Sequence, residues 1–256
     1  MHCHVNFSLF VCLILLWIAV PTHAATTTCS YNFSTGIGNT YLSYCVTVNG
    51  NILGIQTPFG QIMLGPNGEG YGVCNESPAQ NYTDYAVSDT GNWKNAVVLS
   101  HSSTSVKIAR TTADGNWTLT QTITVTHSPS ITVVMGLKNN QSVQKVAYLV
   151  RFADAALSGG ANYDTYMSGV DSALAFFAIA PGKDYGLFLQ NVGRPPFGFW
   201  QGYAQDVPTG PNACAFAFNS AEYIVDGIGS ASIEVAYVGP VPAGGTKTVT
   251  LAYRGL

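Results

Sequence analysis

The clearest feature of the sequence is the alternation of apolar and polar residues along 117–126. Apolar side chains from Trp117 to Val125 fall on one side of an extended chain, and five threonines fall on the other. This period of two predicts a strand with one face on a core and the other in water. The alternation returns at 131–137 and 146–150, so we expect three consecutive strands in an antiparallel meander.

Further strands are expected on both sides of this meander. Asn49-Gly50 separates two apolar runs and predicts a two-residue hairpin turn, and Gly65-Pro66-Asn67-Gly68 predicts another turn. We expect the other strands at 41–48, 52–57, 61–64, 69–74, 96–100, 104–110, 174–180, 185–190, 231–238 and 246–253. Roughly a dozen short strands separated by turn residues are typical of a sandwich or barrel. The sequence therefore predicts an all-β fold, an antiparallel β-sandwich with little helix.

The first 24 residues differ from the rest of the chain. An apolar run of twelve residues, 9–20, is followed by Pro21 and small residues. This run predicts a secretory signal peptide, because a membrane span needs about 20 apolar residues. We expect residues 1–24 to be removed, and residues 25–256 to form a single all-β domain, extracellular or periplasmic, with no membrane span. The aperiodic stretch 191–220 predicts long loops within that domain.

Four cysteines remain after the expected cleavage: Cys29, Cys45, Cys74 and Cys214. An even number in an oxidising compartment favours disulfides, although four cysteines allow three pairings. We expect Cys29–Cys45 to clip the N-terminal arm and Cys74–Cys214 to join distant segments. No C-x-x-C pattern occurs, and after the expected cleavage the only histidines, His101 and His127, have no ligand-like neighbour at zinc spacing, so neither a metal nor a cofactor is expected.

Charged residues make up only 9% of the chain, and Ser, Thr, Asn and Gln outnumber them about threefold. Ten Lys and Arg residues are too few for a wide phosphate-binding surface, which argues against nucleic-acid binding. The threonines of 117–126 suit the wet side of a sheet. An ice-binding array would need a motif repeated at a solenoid period, and the sequence has no such repeat.

Catalytic chemistry has few candidates. The sequence lacks nucleophile-elbow, zincin and phosphate-loop motifs, and His101 and His127 lie in polar turns where we expect them to be solvated. Glycoside cleavage needs two facing acids. If the protein is an enzyme, the candidates are Glu69, which is flanked by glycines, Asp84 and Asp154.

Arg151 ends the third strand of the meander and is expected to pair with a carboxylate, either Asp154 or Asp164. A calcium site formed by Asp154, Asn162 and Asp164 is an alternative, because hard cations prefer such oxygens. These positions lack the dense spacing of a calcium loop.

Aromatic residues in turns are the remaining candidates. Trp93, Trp200 and Tyr203 lie in turn-like or aperiodic stretches, and aromatic rings on loops can stack on the apolar faces of sugars. The alternative is that these rings fill the ends of the sandwich. We take the three rings, with Arg151 and Asp154, as the candidate ligand-binding residues.

Two stretches carry a resemblance. The first runs from Val48-Asn-Gly-Asn-Ile52 to Gly68-Glu-Gly-Tyr71, and the second from Thr112-Ala-Asp-Gly-Asn-Trp117 through Leu137-Lys-Asn-Asn140 to Arg151-Phe-Ala-Asp154. They resemble exported bacterial β-proteins of unassigned function, and the strand, Lys-Asn turn, strand pattern is similar to parts of the galactose-mutarotase-like supersandwich. Mutarotases use paired histidines and a glutamate, and the resemblance assigns no residue here to these roles.

Three functions are therefore compared. The first is a non-catalytic module that binds carbohydrate or a cell surface. The second is a sugar-acting enzyme of the hydrolase, lyase or epimerase type. The third is a structural envelope or matrix protein, which would need a large exposed apolar patch and no concave polar pocket.

Overall fold

The computed structural model describes residues 28–85, 88–126, 130–157, 164–180, 183–206, 212–215, 227–229 and 231–256. The expected signal peptide, His127 and Asn162 lie outside the described residues. Within them the chain forms strands and one short 3-10 turn, Gly38–Thr40. No described helix is long and apolar enough to cross a membrane.

The strands in chain order are β1 (Tyr31–Thr35), β2 (Leu42–Val46), β3 (Ile52–Gln56), β4 (Leu64–Asn75), β5 (Gln80–Tyr85), β6 (Ser88–Asp89), β7 (Val97–His101), β8 (Ser105–Thr111), β9 (Trp117–Thr126), β10 (Ser130–Asn139), β11 (Lys145–Ala155), β12 (Asp164–Ser168), β13 (Ser172–Ala180), β14 (Lys183–Asn191), β15 (Phe199–Asp206), β16 (Gly227–Gly229), β17 (Ala231–Val241) and β18 (Thr246–Gly255). They form three sheets, with orders β1-β2-β3, β16-β12-β13-β14-β18-β10-β9-β8-β7 and β15-β17-β11-β4-β5-β6. Neighbouring strands pair antiparallel, so the predicted all-β antiparallel fold is confirmed.

The nine-stranded and six-stranded sheets pack face to face around one apolar core. Strand β9 matches the predicted alternation, because Trp117, Leu119 and Ile123 are fully buried while the intervening threonines are half-exposed. From the six-stranded sheet, Leu149 of β11 and Val235 of β17 complete the same core. The sandwich therefore follows from the period-two pattern, which gives each sheet one apolar face.

The predicted meander is correct for its first two strands and wrong for the third. Strand β10 pairs with β9 on one side, but its other neighbour is β18. Strand β11 instead lies in the six-stranded sheet between β17 and β4. Because β10 already has two partners, the chain crosses to the opposite sheet after residue 139.

The turn predicted at 65–68 is also wrong. Strand β4 continues through these residues, and the register with β11 shifts between Ala153 and Ala155. The glycines and proline therefore form a bulge opposite Asp154 rather than a hairpin turn. The aperiodic stretch 191–220 contains one strand that the pattern does not predict, β15, which lies at the edge of the six-stranded sheet.

Both expected disulfides are confirmed. Cys29–Cys45 joins the start of the described chain to β2, and Cys74–Cys214 joins β4 to a segment 140 positions later. Two disulfides indicate an oxidising compartment, outside the cell or in a periplasm.

Candidate functional site

The candidate acid Glu69 lies in the core, between the two large sheets, and is fully buried. It forms an ion pair with Arg151, which is also fully buried. Three more groups bond to this pair. Ile52 N–H donates to Glu69 Oε2 at 2.6 Å, and the Tyr253 hydroxyl donates to Glu69 Oε1 at 2.8 Å. Arg151 also donates to Gln121 Oε1. Each charge is thus paired and hydrogen-bonded, as a buried ion requires.

A second ion pair lies beside the first. Arg110 of β8 donates to Asp84 of β5, and to Asp89 Oδ2 at 3.1 Å. The Tyr71 hydroxyl accepts a hydrogen bond from Arg110 Nη1 at 3.3 Å and donates to the Asn49 carbonyl at 2.8 Å. The two large sheets and the predicted Asn-Gly turn are therefore joined by one buried polar network.

Burial governs the protonation of both acids. Desolvation raises the pKa of Glu69 to about 6, although the charge of Arg151 and the hydrogen bonds from Ile52 and Tyr253 act in the opposite direction. Desolvation likewise raises the pKa of Asp84 to about 7, against the lowering effect of Arg110. Such shifts are common at active sites, but structural ion-pair networks produce them as well.

Asp154 does not join this network. Residues 151 and 154 are an odd number of positions apart in one strand, so their side chains point to opposite faces of the sheet. The expected pairing of Arg151 with Asp154 is therefore wrong, and Glu69 is the partner. For the same reason, Glu69 and Asp84 cannot face Asp154 across one cleft.

Asp154 lies on the outer face of the six-stranded sheet and is 1% exposed. The bulge of β4 encloses its carboxylate, since Asn67 N–H donates to Oδ2 at 2.9 Å and a Cβ at Gly65 would lie 2.5 Å from Oδ2. Burial raises the pKa of Asp154. The Asp164 backbone belongs to β12, and its side chain lies outside the described part. Among the described residues, no group of three His, Cys, Asp or Glu could hold a metal ion.

The three candidate rings do not share one surface. Trp93 is buried, with its ring against Tyr71 and its face beneath Arg110. Trp200 is half-buried against the core, and its Nε1 donates to Asp171. Tyr203 is half-buried on the opposite face of the same strand, beside Glu234 of β17. The alternative interpretation, rings that pack within the sandwich, describes Trp93 and Trp200.

The described structure contains a shallow cleft of about 330 Å³ that the sequence did not identify as a site. It lies on the outer face of the nine-stranded sheet, across β8, β9, β10 and β18. We name this cleft the threonine trough. Its lining residues are Lys107, Thr118, Thr120, Thr122, Val134, Gly136, Lys138, Thr246 and Thr248. Three of the five threonines predicted to form the wet face of β9 thus line a concavity.

Strand register explains the shape of the trough. Thr120, Gly136 and Thr248 are direct cross-strand neighbours, and they form its central row. A Cβ at Gly136 would lie 3.4 Å from Thr248 Oγ1, so the absent side chain leaves the floor of the trough open. The rows on either side contain Lys107 and Lys138. The sequence signal that could have indicated this site is a second Thr-x-Thr-x-Thr run at 246–250.

Several hydroxyls in the trough are free to bind a ligand. Among the described residues, those of Thr120, Thr122 and Thr248 have no hydrogen-bond partner within the protein. Thr118 differs, because its hydroxyl accepts a hydrogen bond from Asn140 Nδ2 at 2.9 Å. The trough therefore combines unpaired hydroxyls with two ammonium groups.

Comparison with known proteins places the fold. No protein-family model and no curated protein matches the sequence. A candidate aldose 1-epimerase from Escherichia coli K12 has a similar structure, with TM-score 0.50 and 10% identity over 88% of this chain and 98% of that one. A mutant of the heparan sulfate lyase HepC from Pedobacter heparinus also has a similar structure, with TM-score 0.52 and 7% identity over 88% of this chain.

The chain spans only 34% of the lyase. A galactose mutarotase related enzyme from Lactobacillus acidophilus has TM-score 0.47 and 5% identity, over 88% of this chain and 97% of that one. At these identities the likeness to the first two structures establishes the fold alone. The likeness to the aldose 1-epimerase confirms, at the level of fold, the predicted similarity to the galactose-mutarotase-like supersandwich.

Proposed function

We propose that this protein is a non-catalytic carbohydrate-binding module and that the threonine trough binds its ligand. The observation that carries the proposal is the trough itself, an open cleft lined by five threonines and two lysines, whose central hydroxyls have no partner among the described residues. Hydroxyls that donate and accept match the hydroxyls of a sugar. The threonine methyl groups and Val134 offer apolar contact to the ring carbons.

The placement of the acids supports a binding role over catalysis. Glu69 and Asp84 are buried and already paired with arginines, so neither is positioned to touch a substrate. The two solved neighbours with TM-scores of at least 0.5 are named for an epimerase and a lyase, which makes sugars the first ligand class to test.

Two matched threonine variants test the proposal. Thr120→Val removes a hydroxyl from the central row of the trough, and Thr124→Val removes one from the same face of β9, outside the trough. We expect Thr120→Val to weaken binding about three- to tenfold, since a lost hydrogen bond is worth about 0.5–1.5 kcal/mol. Thr124→Val should bind like the wild type.

A third variant blocks the trough. Gly136→Val places a branched side chain on its floor and should abolish binding. The measurement is affinity electrophoresis in gels that contain single neutral or acidic polysaccharides. Wild-type protein that migrates unretarded in every gel, or retardation that survives Gly136→Val, contradicts the proposal.

An enzymatic function is the second candidate, supported by Asp154. Among the described residues its Oδ1 has no hydrogen-bond partner, and Glu234 lies on the same outer face, one cross-strand row away. Glycoside cleavage requires two acids that flank the scissile bond, so this function also requires a substrate to reach Asp154, which is only 1% exposed. Turnover of a glycan by the wild type that Asp154→Asn abolishes would establish this function in place of the first.

A structural role rests on a different surface. Strand β7, at the edge of the nine-stranded sheet, exposes Val97, Val98 and Leu99. An exposed apolar edge can pair with another chain. Self-association that a Val98→Lys substitution removes, together with no glycan binding, would favour this third function.

A further inference from the structure

The charges of the threonine trough are of one sign. Its lining contains Lys107 and Lys138, and none of the nine lining residues is acidic. Among the described residues, the salt bridges involve Arg110 and Arg151, not these two lysines. On a chain with formal net charge −3, the trough thus carries two cations and no acid.

The positions of the two lysines suit an extended ligand. Lys107 belongs to the row of Thr122 and Val134, and Lys138 to the row of Thr118 and Thr246. The row of Thr120 and Gly136 lies between them. On an ideal sheet, the Cα atoms of the two lysines would be about 16 Å apart, two strands and two rows from each other. The ammonium groups therefore flank the hydroxyl-lined floor on a diagonal.

We infer that the trough selects anionic glycan chains, which carry carboxylate or sulfate groups, over neutral ones. This inference rests on the proposed function and specifies its ligand class. A neutral sugar gains only neutral hydrogen bonds in the trough. A carboxylate or sulfate also gains charge-assisted hydrogen bonds from the lysines, and these are roughly twice as strong as neutral ones.

Thr120 and Gly136 then contact the uncharged part of the chain between two anionic groups. The ammonium group of lysine is a compact donor that can approach either kind of anion. The shared requirement is a negative charge on a chain long enough to reach both lysines. Carboxylate-bearing and sulfate-bearing chains are therefore separate arms of the test.

The experiment uses two pairs of polysaccharides that differ in charge. Dextran sulfate is compared with dextran, and polygalacturonate with its methyl ester, by titration calorimetry of the intact protein. We expect the anionic member of at least one pair to bind ten times more tightly than its neutral partner. This preference should shrink with added salt, because exposed charges are screened. The pair that shows it identifies the anion.

Lysine variants assign the preference to the trough. Lys107→Gln/Lys138→Gln should remove the preference, while Lys107→Arg/Lys138→Arg should restore most of it. Each single Lys→Gln change should weaken anionic binding about three- to tenfold. Lys145→Gln is the matched control, since this lysine lies on β11 in the other sheet and donates to the Ser77 carbonyl.

The outcomes separate the inference from the proposed function. Equal binding of charged and neutral chains, unchanged in Lys107→Gln/Lys138→Gln, overturns the inference and leaves carbohydrate binding in place. If Lys145→Gln loses as much of the preference for anionic chains as the double variant does, the inference is also overturned, because the attraction would then be nonspecific. Anionic and neutral binding that both survive Gly136→Val would refute the proposed function itself.

Discussion

The two outer faces of the sandwich are built from the same alternating strands and have different surroundings. The outer face of the nine-stranded sheet is open, and its threonines and Gly136 form a trough. On the outer face of the six-stranded sheet, Val150, Phe152 and Ala236 are fully buried. There the segment that contains Ala213 and Cys214 packs on the sheet and is bound to it by a disulfide.

This difference shows that the segment packed over a face, rather than the strand pattern, decides whether the side chains of that face are accessible to a ligand. Asp154 on the covered face is almost fully removed from solvent. On the open face, the hydroxyls of Thr120, Thr122 and Thr248 have no partner among the described residues. The scarce charges follow the same division. Arg110 and Arg151 form ion pairs in the interior, whereas Lys107 and Lys138 line the open trough.

Removing the disulfide that attaches the segment around Cys214 to the six-stranded sheet is expected to have the largest effect on stability. Cys74→Ser/Cys214→Ser opens a loop of 140 positions, for which chain entropy predicts a loss of about 5 kcal/mol in the free energy of unfolding. Cys29→Ser/Cys45→Ser opens a loop of 16 positions and should lose about 3 kcal/mol. Urea denaturation measures both losses, and an equal or reversed order would contradict the larger contribution expected of Cys74–Cys214.

The interior ion pair should come next. Arg151→Gln leaves the carboxylate of Glu69 without its buried partner, and such losses cost about 3 to 5 kcal/mol. Lys138→Gln, on the open face, is the matched control and should change stability by less than about 0.5 kcal/mol. Melting temperatures and urea midpoints compare the two. Similar losses would show that both regions serve folding equally.

A smaller effect should depend on pH. Because burial raises the pKa of Glu69 to about 6 and that of Asp84 to about 7, the folded protein binds more protons than the unfolded chain between about pH 4 and 7. The free energy of unfolding contributed by these acids therefore falls as the pH rises through that window, by a few kcal/mol in order of magnitude.

Asp84→Asn isolates this contribution. Its stability should change less than that of the wild type between pH 4 and 7.5, since one of the two acids no longer titrates. Asp89 still pairs with Arg110 in this variant, so the arginine keeps a carboxylate partner. Denaturation curves at four pH values suffice, and identical slopes for both proteins would show that Asp84 does not titrate in this range.

The sequence predicts those parts of the fold that depend on neighbouring residues. Strand β9 begins and ends where the alternation does. A turn forms at Asn49-Gly50 with Gly50 at φ 93°, but the two-residue loop is wrong, because Gly50 N–H donates to the Thr47 carbonyl and Thr47 N–H donates to the Asn51 carbonyl across a longer loop. Strand β15 was missed because Gly202 interrupts its apolar pattern at an edge position. The glycines at 65–68 suit a hairpin turn and a bulge equally well, so the sequence predicts a turn there. Only the contact with Asp154 distinguishes the bulge from the turn.

The site depends on register between distant strands, which local pattern does not contain. Glu69 meets Arg151 because β4 pairs with β11, and the parity of residue 154 excludes the nearer acid. The trough combines residues near 107, 120, 136 and 248. Its threonines could be predicted to face water. That the face is concave, with lysines on both sides of Gly136, follows only from the assembled sheet.

The position of β18 also sets the order in which the molecule can form. This strand lies between β10 and β14, so it joins the two halves of the nine-stranded sheet. Pairings such as Ile131 with Tyr253 link residues far apart in the chain and form slowly. Until they form, β10 and β14 each have an unpaired edge, the kind that recruits strands from other chains. Rapid refolding and low aggregation therefore both depend on how soon residues 246–255 reach the middle of the sheet.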